Sequence, residues 1–162
     1  MGLLDRQRRI IKQLVETPFQ QGWQFRVECD GQPSDLDIYV KEITYGGTTI
    51  EYDTKVIGAL AFTSPNNKTP PIITLTVRDH EDGRVLAFFQ KKCDGVINKD
   101  GTVNVPAKYL FKLRLFRLMS DDSEKLDTEW EVSPASWGEI PRDRSAPGEF
   151  VSIPMTFQTY HS

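Results

Sequence analysis

The chain has 162 residues, 38% of them hydrophobic and 27% charged, with 20 basic and 23 acidic side chains for a net charge of −3. That composition excludes a disordered chain and fits one soluble globular domain large enough to bury a core without staples. Mild acidity argues against a dedicated nucleic-acid binder, while leaving open a surface that DNA passes without sticking.

The first residues, Met1-Gly2-Leu3-Leu4-Asp5-Arg6, lack the apolar core of a signal peptide and the later Ser or Thr of a myristoylation signal. No apolar stretch approaches the roughly 20 residues that cross a bilayer. Leu3 to Glu16 reads as a helix. Leu4, Ile11 and Val15 share one face, Leu3, Ile10 and Leu14 flank them, and Arg6, Arg8, Arg9 and Lys12 cover the remainder. Thr17-Pro18 ends it, because proline pushes the preceding residue out of the helical region. Such a helix packs on its own domain or reaches a neighbouring subunit. It is short for a membrane-surface helix and has no aromatic anchor.

Trp23, Phe25 and Val27 alternate with Gln24, Arg26 and Glu28, which predicts a half-buried strand. Asp30-Gly31 and Gln32-Pro33 turn the chain. A second strand is expected over Leu36 to Thr44, with Gly46-Gly47 suited to a tight hairpin turn. β-type pattern continues through Thr49 to Thr54 and Val56 to Phe62. The run Ser64-Pro65-Asn66-Asn67-Lys68-Thr69-Pro70-Pro71 is expected to be a loop. Ile72 to Val77 is a strand. Asp82-Gly83 starts a helix over Arg84 to Cys93, with Asp82 as cap, Val85, Leu86, Phe89 and Cys93 inward, and Asp94-Gly95 at its end. Asn98-Lys99-Asp100-Gly101 is a turn. Tyr109 to Leu118 alternates: Tyr109, Phe111, Leu113 and Leu115 on one face, and Leu110, Lys112, Arg114, Phe116 and Leu118 on a mixed face suited to meeting another surface. Ser120 to Asp127 is acidic and loop-like. Trp130 and Val132 mark a short strand, and Ser133 to Gly148 is expected to be a long excursion. Val151, Ile153, Met155 and Phe157 alternate with polar residues, and Pro154 predicts that this last strand lies at an edge or beside a bulge.

Catalytic and metal signatures are sparse. Cys29 and Cys93 are far apart, without CxxC spacing, and His80 and His161 are the only histidines, so no metal site is expected. Two reduced thiols are expected, with a bridge as the alternative. Asp79, Glu81 and Asp82 surround His80 without matching a ligand motif, so a charged turn is set against an acid–base site there. There is no P-loop, GxGxxG, GxSxG or HExxH. Lys108, Lys112, Arg114 and Arg117 lie among Tyr109, Phe111 and Phe116. Basic residues interleaved with aromatics hold single strands on open barrels, but the same pattern arises when aromatics fill a core and cations pair with acids on a neighbouring subunit.

From about Ile72 to the end, the chain resembles the tail-tube proteins of contractile-tailed bacteriophages. The resemblance rests on Ile73-Thr74-Leu75-Thr76-Val77-Arg78-Asp79, on Val85-Leu86-Ala87-Phe88-Phe89-Gln90-Lys91, on Asn98-Lys99-Asp100-Gly101-Thr102-Val103, and on the closing Val151-Ser152-Ile153-Pro154-Met155-Thr156-Phe157. It lies in element order and residue character, not in an invariant motif. It implies a mainly β (α+β) fold: residues 1–17 an amphipathic helix, and residues 18–162 one β-sandwich or barrel domain with a helix near 83–94. It further implies a non-enzymatic virion protein without cofactor, assembled in the host cytoplasm. Six copies would close a ring whose strands line an inner β-barrel, and rings would stack as a conduit for DNA in transit. Expected partners are copies of itself, a baseplate hub and tail sheath proteins, with no membrane. The helix before the first strand departs from a plain tube subunit and favours a tube-initiating baseplate protein. The type VI secretion tube protein shares this architecture. Interface candidates are Leu4 and Ile11 on the helix, Leu110, Lys112, Arg114 and Phe116 on the mixed face, the loop Ser64 to Pro71, and Val151, Ile153, Met155 and Phe157 on the expected edge strand. A barrel-type module for single-stranded nucleic acid or a small ligand is the non-assembling alternative.

Overall fold

The computed structural model describes residues 2–34, 39–145 and 147–161. In chain order the elements are α1 (Leu3–Glu16), β1 (Phe25–Cys29), β2 (Val40–Tyr45), β3 (Thr49–Ile57), β4 (Leu60–Thr69), β5 (Ile72–Arg78), α2 (Arg84–Asp94), α3 (Pro106–Tyr109), β6 (Phe111–Leu118), β7 (Glu124–Trp137) and β8 (Ser152–Thr159). Six strands form one antiparallel sheet in the order β1-β6-β7-β8-β5-β2, and β3 and β4 form a separate hairpin. The expected strand start at Leu36 falls partly on residues 35–38, which lie outside the described residues.

Period-two alternation selects the core face. Val27 and Cys29 of β1, Ile73, Leu75 and Val77 of β5, Phe111, Leu113 and Leu115 of β6, Val132 of β7, and Ile153, Met155 and Phe157 of β8 share one core with Val85 and Phe89 of α2. The sheet curls back on itself. Tyr45 of β2 stacks at 5.3 Å on Trp130 of β7, although β8 and β5 lie between those strands in the sheet. The result is an open barrel whose end strands, β1 and β2, face a groove lined by Gln24, Phe25, Ile43, Tyr45 and Leu115. α2 fills the core with Phe89, which meets Phe157 edge-on at 5.4 Å, while Phe111 meets Phe157 at 5.8 Å. Each such edge contact contributes about 0.5–1.5 kcal/mol beyond simple burial.

Several expectations are corrected. β8 is not an edge strand: it is paired on both sides, by β7 and β5. Pro154 is accommodated because the β7 ladder runs out beside it. Gly138 N–H donates to the Pro154 carbonyl at 2.8 Å, and a Cβ on Gly138 would lie 2.7 Å from Pro154 Cγ. Ser64 to Thr69 is strand, not loop, and only Pro70-Pro71 interrupts it. Pro65 fits because a two-stranded hairpin leaves one edge of each strand unpaired, and because a bulge beside it skips Asn66. β7 likewise lengthens the predicted short strand and takes in Ser133 to Trp137 of the expected excursion, the described residues from Gly138 to Gly148 staying irregular, with shifts that absorb Asp127 and Ala135 beside Pro134. Gly46-Gly47 joins β2 to β3, which pair with different strands, so it is not a hairpin turn. The hairpin turn is at Gly58, where φ is +63°. Tyr109 ends α3 before β6 begins, and Trp23 precedes β1 and is exposed. The core helix, the turn at Asn98 to Gly101 and the last strand are close to where periodicity predicts them.

Candidate assembly surface

The acidic turn before α2 is tied by local hydrogen bonds. Asp82 Oδ1 accepts the Arg84 backbone N–H at 3.1 Å, and its carboxylate takes the Arg84 guanidinium with a shortest distance of 2.8 Å. The Arg84 side chain holds Asp82 well below the usual carboxylate range. His80 Nδ1 accepts the Asp82 backbone N–H at 3.2 Å. The cap thus acts from one residue before Gly83, whose φ of +74° needs glycine. No group of three or more His, Cys, Asp or Glu among the described residues is placed to hold a metal.

The mixed face of β6 points outward into a lattice of ion pairs. Arg114 lies 3.2 Å from Glu28, 3.0 Å from Asp30 and 3.0 Å from Glu129, and Lys112 lies 3.3 Å from Glu129. Arg26 bonds Glu124 at 3.0 Å and stacks over Phe116 at 4.4 Å, while Arg117, opposite Phe25 on the other face, reaches Asp127 at 3.1 Å. Lys112 and then Arg114 depress the Glu129 carboxyl, while hydrogen bonds to Glu129 and Asp30 raise Arg114. Lys112, Arg114 and Arg117 are therefore paired with acids of their own chain. That leaves little uncompensated positive charge on this face for a phosphate backbone. Lys112, Arg114 and Phe116 are brought together as expected. Leu110 is half-buried at the end of α3, donating its N–H to the Pro106 carbonyl at 2.9 Å.

The other predicted interface residues separate. Ile153, Met155 and Phe157 are fully buried in the core, so their side chains make no contact with another subunit, and only Val151 of that set is half-exposed. Leu4 and Ile11 are exposed, and no side chain of α1 is buried, so the helix does not pack on its own domain.

The largest surface feature is the β3–β4 hairpin, 9 and 10 residues long with no buried residue. Its register places Ile50, Tyr52, Thr54 and Val56 on one face with Ala61, Thr63, Pro65 and Lys68 opposite. The other face carries Thr49, Glu51, Asp53, Lys55 and Ile57 with Leu60, Phe62, Ser64, Asn67 and Thr69. Val56 is 70% exposed, and Ile57 and Leu60 flank the tip. An isolated two-stranded hairpin is marginal in water, and exposed apolar strand faces mark contact surfaces. Sequence reading found the alternation here but not the projection, and it did not single out Ile50, Tyr52 and Val56 as exposed apolar residues. The available signal was that Glu51 to Lys55 alternates without any second apolar set for it to cover.

No protein-family model matches the chain, and no curated protein matches it in sequence. Solved structures share its fold. The anti-feeding prophage cap, described as the tube-terminating cap, superposes with a TM-score of 0.66 at 13% identity over 90% of this chain and 89% of the other. A chain of the PVC sheath–tube complex of an extracellular contractile injection system, in the extended state, gives 0.64 at 14% identity over 91% and 92%. A chain of the PVC sheath/tube terminator in the extended state gives 0.63 at 17% identity over 90% and 94%. The sheet-rich fold is one shared with tube-terminator structures of contractile injection systems.

Proposed function

We propose that this chain is a structural, non-catalytic subunit of the tube of a contractile tail or injection apparatus, forming hexameric rings at one end of the tube. The observation that carries the reading is the projecting β3–β4 hairpin, none of whose residues is buried. A hairpin of that length with an apolar face and two unpaired edges is a hazard on a monomer, and ring closure pairs its edges and covers its face. The solved structures with this fold include two described as tube terminators and one from a sheath–tube complex. The exposed helix α1 is an element beyond the barrel, suited to docking on whatever adjoins the ring at the baseplate side or at the cap.

In this reading the Glu51 and Asp53 face of the hairpin looks into the lumen, where acidic groups let nucleic acid pass without holding it. The Ile50, Tyr52 and Val56 face lies against the ring body. A tube initiator on a baseplate hub, with sheath outside, is the arrangement proposed. A main tube subunit and a type VI-like tube protein are variants of the same assembly. The single-strand-binding alternative is weakened by the pairing of Lys112, Arg114 and Arg117 within the chain.

Negative-stain microscopy with sedimentation velocity tests the proposal. Wild type is expected to form rings. The double substitution Tyr52→Asp, Val56→Asp is expected to leave the circular dichroism spectrum intact and the protein monomeric. A wild type that stays monomeric while binding single-stranded oligonucleotides in a salt-sensitive way would overturn the proposal.

A further inference from the structure

α1 and a groove on the body both expose apolar side chains, and the two do not meet within one chain. At 100° per residue, Ile10, Leu3, Leu14, Ile11, Leu4 and Val15 share one face of α1 with Gln7 at its centre, bordered by Arg8 on one side and Arg6 on the other. All six are exposed, Val15 by 82%. The groove runs along the ends of β6 and β7; Pro18, Phe19, Leu118, Met119 and Leu126 form its apolar part, and Arg117, Lys125 and Asp127 are among its polar lining. Phe19 is 64%, Met119 43% and Leu126 48% exposed.

Charge matches at one end of the groove. α1 carries Arg6, Arg8, Arg9 and Lys12 against Asp5 and Glu16, an excess of two positive charges. Residues 117–127 carry Asp121, Asp122, Glu124 and Asp127 against Arg117 and Lys125. Glu124 is already paired with Arg26, which leaves Asp121 and Asp122 as the acids there that face no cation among the described residues of their own chain. Among the described residues none of the four cations of α1 is in an ion pair, whereas Arg117 is already paired with Asp127. The acids sit at the groove's end, because the turn closes on Met119: Asp122 N–H donates to the Met119 carbonyl at 3.1 Å and Met119 N–H to the Ser123 carbonyl at 2.8 Å. The groove starts at Pro18 itself, and Thr17 between helix and groove is extended, with φ −82° and ψ 122°. Proline at the next position favours that conformation over the reversal a helix would need to fold back on its own groove.

We infer that α1 of one copy docks in the Phe19, Met119 and Leu126 groove of a second copy, its apolar stripe down and Arg8 toward Asp121 and Asp122. The contact is head-to-tail, so it links successive copies around or along the assembly. It rests on the ring reading only in how the chain of contacts closes.

The test uses the full chain. Arg8→Lys keeps the charge and supplies an amine. A mixture of unlabelled and 15N-labelled Arg8→Lys protein is coupled with a zero-length carbodiimide and read by mass spectrometry. Cross-links from position 8 to Asp121 or Asp122, mixed-isotope pairs among them, are expected. Adding Ile11→Asp is expected to reduce them at least about tenfold, as removal of a central apolar anchor does. Asp122→Arg is expected to weaken wild-type association, and Arg8→Asp mixed with Asp122→Arg to restore it. Cross-links confined to single-isotope pairs, or insensitive to Ile11→Asp, overturn the inference. So does flotation with anionic vesicles that depends on Ile11 in the absence of cross-links. Rings without the cross-link would sink this inference alone, and the cross-link without rings would sink the ring reading alone.

Discussion

Phe157 shows how much of this fold rests on single side chains. It is 1% exposed and lies edge-on to both Phe89 of α2 and Phe111 of β6, so it joins the helix to the sheet. Phe157→Ala is expected to cost about 3–5 kcal/mol in urea denaturation, since the cavity opens where two elements meet. Cys29 is the other sensitive residue. Burial pushes its thiol up to about 12. A thiol raised above its unfolded value of about 8.5 contributes stability that is fully present below that pH and is lost as pH climbs toward the folded value. The melting temperature should therefore fall between about pH 9 and 11. Cys29→Ala, though less stable at neutral pH, should show a flatter alkaline limb. Both cysteines are free, but Cys93 is half-buried, so thiol reagents at pH 8 should label it first and reach Cys29 only on unfolding.

Among the elements, α1 and the β3–β4 hairpin differ from the rest in kind. Strands of the six-stranded sheet are held by ladders and by a shared core, whereas α1 buries nothing and the hairpin is paired only with itself. Deletion of residues 2–17 is expected to change unfolding free energy of the monomer by no more than about 0.5 kcal/mol, the scale of a surface change. Thermal melts of dilute protein would check this, and a large drop would show that α1 packs on the barrel. The bulges of β7 are a third element-scale device. They let one strand of 14 residues carry Pro134 and still pair with both β6 and β8.

Taken whole, the molecule is a stable barrel carrying two unpartnered projections. The ion-pair lattice around Arg114 joins β1, β6 and β7 on the outer face without leaving free cations there. Arg26, Lys112 and Arg114 stand there against Glu28, Asp30, Glu124 and Glu129, so the face has no excess of positive charge, and in the proposed ring the attraction falls to the apolar surfaces of α1 and the hairpin. If those surfaces meet in a ring, stability follows mass action, because binding to the folded state alone stabilises it. The melting temperature of wild type should rise with protein concentration, and that of Tyr52→Asp, Val56→Asp should not. A concentration-independent wild-type melt would mean that the projections stay solvated.

Local physics was enough for elements whose patterns are set by their own residues. The stripe of α1, the alternation of β5, β6 and β8, the helix after Gly83 and the turn at Gly101 follow from period, cap and glycine chemistry, all of which act within a few residues. The mainly β class and the resemblance to tube proteins came from the order of these elements. Pairing partners did not follow, because hydrogen bonds between strands join residues far apart in sequence, and proline penalties vanish wherever a ladder ends or bulges. That is why Pro154 lies in a central strand, Pro65 and Pro134 lie in strands rather than loops, and Gly46-Gly47 links rather than turns. The mixed face of β6 was legible as a face, but not as one neutralised by Glu28, Asp30 and Glu129. Those acids reach Arg114 only once the sheet is assembled. The sequence alone determined which residues are apolar at which period. Only the tertiary structure decided which apolar faces were left over once the core closed, because burial is a property of the packed sheet and not of any one strand.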